Sequence, residues 1–114
     1  MVNYIPKQKD ILFLDFNPTK GHEQSGTRPA LVLSSNNFNK ITNMAIVCPI
    51  TTNTKEFPSH YILEHTKKIK GSILCEHVRS IDYNTRRVKF IEKVSNEEFD
   101  NIMNLFNSLF DEKL

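Results

Sequence analysis

Arg28-Pro29 closes the most chemically loaded stretch of a 114-residue chain. The segment Asp15-Phe-Asn-Pro-Thr-Lys-Gly-His-Glu-Gln-Ser-Gly-Thr-Arg-Pro-Ala30 contains an eleven-residue polar loop carrying Lys20, His22, Glu23, Gln24, Ser25 and Thr27, with two of the protein's three glycines, Gly21 and Gly26. Loops of this length without structure of their own usually serve function. Proline fixes its own φ and drives the residue before it into extended backbone, so Pro29 aims Arg28 from the start of a strand, a rigid mount. A planar, permanently charged guanidinium meets an oxyanion such as a phosphate bidentately. Thr51, at the end of the proline-broken run Val47-Cys-Pro-Ile-Thr-Thr52, can give a hydroxyl hydrogen bond to the same anion. Taken singly, Arg28 also reads as a surface ion pair and Thr51 as an ordinary strand-end residue. His22, His60, His65 and His77 show no metal-ligand spacing, so no metal or other cofactor is expected. Cys48 and Cys75 sit in apolar runs without CxxC spacing and read as buried free thiols of a cytoplasmic protein, not as a disulfide.

The elements that must hold these residues are mostly strands. With 39% hydrophobic and 25% charged residues, residues 1–114 read as one domain with its own core. The longest apolar run, Met44-Ala-Ile-Val-Cys-Pro-Ile50, is too short to span a membrane, and residues 1–10 are too polar for a signal peptide. Strand-length runs rich in β-branched and aromatic residues recur at 10–16, 28–34, 44–50, 59–64, 71–82 and 88–94, separated by polar turn clusters such as Ser35-Asn-Asn-Phe-Asn-Lys40. No helical stretch long enough for a crossover intervenes, which predicts a mainly β fold, a small antiparallel barrel, closed or half-closed. Ser95-Asn-Glu-Glu98 reads as a capping box, and Phe99, Ile102, Met103, Phe106, Leu109 and Phe110 fall on one face of a C-terminal α-helix packed on the barrel. Residues 1–91 carry thirteen basic and seven acidic side chains (+6), residues 92–114 two basic and six acidic (−4). An anionic ligand should therefore meet the first part of the chain.

The chain resembles the MazF/PemK (Kid-like) toxins of toxin–antitoxin modules. The resemblance rests on Lys9-Asp10-Ile-Leu, on the Asp15–Ala30 segment quoted above, on Val47-Cys-Pro-Ile-Thr-Thr52 and on Leu74-Cys-Glu-His-Val-Arg-Ser-Ile-Asp82, and covers nearly the whole chain. It implies an SH3-like (CcdB/Kid/MazF-type) barrel with a C-terminal helix, a homodimer, and sequence-specific, metal-independent cleavage of single-stranded RNA. It further implies control by a MazE-like antitoxin whose extended, acidic and hydrophobic segment folds onto the dimer. Arg28 falls on the family's catalytic arginine and Thr51 on its catalytic threonine. Lys9 stands where a glycine is usual, a departure expected to be minor. His77 stands where the family often has glutamine, at a base-contacting position.

In such cleavage a ribose 2′-hydroxyl attacks the adjacent phosphorus, and charge gathers on the non-bridging and leaving oxygens, which Arg28 is suited to stabilise. An arginine is not deprotonated in proteins, so the general base is sought in Glu23, His22 or solvent; Glu23 equally reads as a carboxylate paired with a nearby cation. Phe16 is the candidate platform for a stacked base, with a core role as the equal alternative. Thr19, Lys20, Gln24, Asn53, Glu76 and His77 are candidate RNA contacts. Lys67, Lys68, Lys70, Arg86, Arg87 and Lys89 are weighed as an extended phosphate track against a plainly solvated surface. Two other functions fit the fold: a non-enzymatic CcdB-like toxin that binds a topoisomerase, and an SH3-like interaction module.

Overall fold

A computed structural model describes residues 4–17, 21 and 26–112. In chain order its elements are β1 (Asp10–Asp15), β2 (Thr27–Val32), α1 (Asn36–Thr42), β3 (Met44–Thr51), β4 (His60–Ile62), β5 (Ser72–Leu74), a 3-10 turn (Cys75–His77), β6 (Arg79–Asp82), β7 (Lys89–Lys93) and α2 (Asn96–Ser108). The seven strands make one antiparallel sheet in the order β4-β5-β3-β2-β1-β7, with β6 also paired to β3.

Strands β1 to β3 bury both faces, which is why their sequences read as nearly continuous apolar runs. Ile11, Leu31, Cys48 and Ile50 point into a first core with Ile73, Leu63 and the Phe99 and Ile102 side chains of α2. Their neighbours Leu12, Leu14, Ala30, Val32, Ala45 and Val47 point the other way, into a second core completed by Phe16, Ile81 and Tyr83. Side-chain carboxylates bring the sheet round on itself. Glu92 of β7 accepts from the amides of Lys67, Lys68 and Ile69 at 3.0, 2.9 and 2.7 Å. Burial alone would raise the Glu92 carboxyl; those amides and the Lys68 charge outweigh it and hold the group below the usual glutamate range.

Four sequence expectations need correction. Residues 35–40, read as a turn cluster, open a helix over Asn36–Thr42: Ser35 caps it by accepting from the Phe38 amide at 3.1 Å, and Asn43 ends it in the left-handed region at φ 57°. Only Asn39 of α1 is buried, so no apolar stripe announced it. The run 71–82 is not one strand. β3 pairs Ile50 with Ile73 and Val47 with Arg79, so two residues of β3 face five across from them, and the Cys75–His77 turn takes up the excess. The capping box is half made. Ser95 accepts from the Glu98 amide at 3.1 Å, but the Glu98 carboxylate, 1% exposed, instead takes the Glu64 amide at 2.7 Å and the Tyr61 hydroxyl at 3.3 Å. Lys9 is not a minor departure locally, because it sits at φ 80°, where glycine alone is unstrained.

Candidate active site

Arg28 stands second in β2, opposite Leu14 of β1, with Pro29 after it opposite Phe13. On its other side β2 pairs Ala30 with Pro49 and Leu31 with Cys48 of β3. The paired register stops at Ala30 and Pro49, and the two strands continue past it to Arg28, near the start of β2, and Thr51, the last residue of β3. Both are half-buried. Two expected site residues thus lie at the same end of neighbouring antiparallel strands.

Thr51 is held on several sides. Its Oγ1 accepts from the Asn53 amide at 3.2 Å, and a hydroxyl so engaged still has its proton to donate. The Asn53 carboxamide in turn accepts from the Lys55 amide at 3.0 Å, fixing the path after β3. Behind Thr51 lies Gly71, buried and at φ 142°, where an added Cβ would collide with the Thr51 carbonyl.

Thr51 and Asn53 open onto a cleft of about 240 Å³ whose other walls include Phe57, His60, Leu74, Glu76 and His77. Among the expected site residues, Thr51, Asn53, Glu76 and His77 therefore meet there, and Arg28, one strand away, is not one of its walls. The three-residue excess of the Cys75–His77 turn lifts Glu76 and His77 out of the sheet plane. Glu76 accepts from the Ser59 hydroxyl at 2.7 Å and shares a 2.8 Å hydrogen bond with His60 Nε2. Burial would raise its carboxyl, yet the Ser59 and His60 contacts together hold it below the usual glutamate range. His60, its ring tilted against Phe57 with centroids 5.0 Å apart, was not singled out as a site residue by sequence. It reaches the cleft from β4, across the sheet, and only its place in a short strand run hinted at this.

The long loop is clamped at its base. The Phe16 amide donates to the Gly26 carbonyl at 3.0 Å, and the Gly26 amide, at φ 81°, donates to the Asn17 side chain at 3.1 Å. Arg79 donates to the Phe16 carbonyl at 3.2 Å, and Arg86 to the Asp15 and Asn17 carbonyls at 2.9 and 2.8 Å. Arg86 is thus a positioning residue for the loop, not part of an open phosphate track. Phe16 is a core residue: its ring is 1% exposed beneath the Arg79 guanidinium and offers no open face to a base. Thr19, Lys20, His22, Glu23 and Gln24 lie outside the described residues. No group of three or more His, Cys, Asp or Glu side chains suited to a metal occurs among the described residues.

Comparison with known proteins agrees with this architecture. The model of the PemK-like, MazF-like toxin of type II toxin–antitoxin systems matches residues 7–110. The endoribonuclease toxin MazF of Escherichia coli (strain K12) is 37% identical over 106 residues, covering 93% of this chain and 95% of that protein. The crystal structure of MazF from Deinococcus radiodurans superposes with a TM-score of 0.87 at 33% identity, covering 94% of this chain and 97% of that one. A MazE-MazF structure from the same organism superposes at 0.81 with 28% identity, over 96% and 98% of the two chains.

Proposed function

Because the chain belongs to the PemK-like, MazF-like toxin family of type II toxin–antitoxin systems, we propose that it is a metal-independent endoribonuclease that cuts single-stranded RNA in the cytoplasm. The observation that supports this reading is that Arg28 and Thr51 lie at the same end of the adjacent strands β2 and β3. The scissile phosphate sits between the two side chains. The ribose 2′-hydroxyl loses its proton to a base and attacks phosphorus; the P–O5′ bond breaks and the departing O5′ takes a proton from water, leaving a 2′,3′-cyclic phosphate and a 5′-hydroxyl. Arg28 donates two parallel N–H bonds to the non-bridging oxygens as they gain charge, and Thr51 donates its hydroxyl to the same group. Glu23, in the loop ending at Arg28, is the proposed base; a carboxylate serves when its surroundings raise its pKa.

Asn53, Glu76 and His77, on the cleft beside Thr51, are proposed to read the bases flanking the cut, with Thr19, Lys20 and Gln24 contributing from the loop. A glutamate acceptor and an imidazole suit the hydrogen-bonding edges of splayed bases. The protein acts as a homodimer and is neutralised by a MazE-like antitoxin, in keeping with the MazE-MazF structures from Deinococcus radiodurans. A binding-only toxin or a plain interaction module would have no use for an arginine and a threonine that share one phosphate.

Digestion of a long single-stranded transcript in excess EDTA tests the reading. Discrete fragments ending in cyclic phosphate, with 5′-hydroxyl partners, are expected. RNA left intact across many sequences would overturn it.

A further inference from the structure

The cleavage chemistry leaves one buried hydroxyl beside Thr51 unused. Ser72 is fully buried in β5, and its Oγ is the one buried side-chain oxygen or nitrogen among the described residues without a hydrogen-bond partner. Other buried polar side chains are matched: Asn39 donates to the Pro6 carbonyl at 2.8 Å, and Glu98 accepts from the Glu64 amide at 2.7 Å. An orphan hydroxyl in the interior costs stability and calls for a reason. Its place supplies one, because β3 and β5 pair Thr51 directly with Ser72. Directly opposed residues on antiparallel strands point to the same face with Cβ atoms about 4.5–5.5 Å apart, and Thr–Ser pairs so placed hydrogen-bond across the strands. The backbone of Ser72 is pinned. The Gly71 carbonyl accepts from the Leu63 amide at 2.9 Å, β4 pairs Ile62 with Ser72, and an added Cβ at Gly71 would strike the Thr51 carbonyl.

We propose that Ser72 is a positioning residue for Thr51: with RNA bound, the Ser72 hydroxyl donates to Thr51 Oγ1 and aims the Thr51 proton at the scissile phosphate. This role rests on the cleavage function proposed above. A threonine hydroxyl has one proton and two lone pairs. The Asn53 amide fills one lone pair. Once a phosphate oxygen takes the proton, the second lone pair is left for Ser72, and with both filled the O–H keeps a single direction. Accepting two hydrogen bonds also makes that O–H the stronger donor, since bonds in a chain polarise one another. Ser72 needs only to turn about χ1 between staggered wells, with no backbone movement. A donor aligned before charge develops on the phosphate costs no reorganisation as the reaction proceeds. Ser72 itself makes no contact with RNA, so it acts on the cleavage step and leaves RNA affinity alone.

Single-turnover cleavage, RNA binding and urea unfolding of the full chain test this together. Ser72→Ala should cleave a single-site RNA about fivefold to tenfold more slowly than the parent. It should bind an analogue with 2′-deoxyribose at the cut as tightly, and unfold at no lower urea concentration, because it removes a hydroxyl that has no partner in the free protein. Thr51→Val should slow cleavage by itself, and adding Ser72→Ala to it should slow cleavage no further, since Ser72 acts only through the Thr51 hydroxyl. Ser72→Ala cutting at the parent rate, an equal further loss in the Thr51→Val background, or a loss of stability and affinity alongside the rate would each overturn the proposal. A parent protein that leaves RNA intact would overturn the nuclease reading and this role with it, whereas the other three results strike Ser72 alone.

Discussion

At the scale of single residues, the site depends on side chains whose positions are over-determined by neighbours. Gly71 is the sharpest case. Its backbone lies in the left-handed region at φ 142° and passes so close to the Thr51 carbonyl that any Cβ must displace one strand end from the other. Gly71→Ala should destabilise the protein by about 2–4 kcal/mol in chemical denaturation, and cleavage should fall beyond what lost stability explains, because Thr51 moves. An Ala variant as stable as the parent would show that this close approach does not exist. Glu76 and Glu92 titrate with stability. Both carboxyls are held below their ordinary value near 4.3 in the folded state. Their contribution is therefore complete above that value and is lost as pH falls through their lower folded pKa values. Urea midpoints should stay level on this account above about pH 5 and drop in more acid solution, and Glu76→Gln and Glu92→Gln should each flatten that drop. A steeper acid loss in either variant would contradict the assignment.

At the scale of elements, β1 to β3 and α2 are legible in sequence because apolar residues recur at strand or helix period and are buried accordingly; β7 follows the period too, but its Phe90 is exposed, as is Phe110, which lies beyond the end of α2. α1 is not, since a seven-residue polar helix with one buried side chain has no stripe to read and depends on the Ser35 cap. The excess turn between β5 and β6 is not either; an apolar run says nothing about how many residues lie opposite it. That turn matters, because it presents Glu76 and His77 to the cleft, and His60 arrives beside them from β4 through long-range pairing. Arg28 and Thr51 were singled out from motif order, whereas the burial of Phe16 was not decidable from its strand-end position. Lys9 gives an element-scale test. Left-handed backbone costs a residue with a Cβ about 1–2 kcal/mol, and glycine's extra unfolded freedom offsets part of the gain from removing it. Lys9→Gly and Lys9→Ala both lose the contacts of the lysine with Asn96 and Phe99, so their difference isolates the backbone. The Gly variant should be the more stable by about 1 kcal/mol in thermal or urea melts; an Ala variant equal to it would remove the strain at the start of β1.

At the scale of the whole molecule, charge and shape agree with a site on one part of the chain. The excess of basic residues lies before residue 92 and the acidic excess after it, largely on α2 and its flanks. An acidic, partly apolar antitoxin segment would be drawn to the same basic part that RNA uses. Sedimentation at micromolar concentration should give a species of twice the 13.3 kDa chain; the monomer alone would contradict the dimer. The central claim is narrower: one guanidinium and one hydroxyl, at the ends of β2 and β3, share a phosphodiester. Single-turnover cleavage of an RNA oligonucleotide with one cut site, compared between the parent protein and a folded Arg28→Ala variant, tests it most directly. The account predicts a rate at least about 100-fold lower with the RNA still bound, and a variant that cuts at close to the parent rate would contradict it.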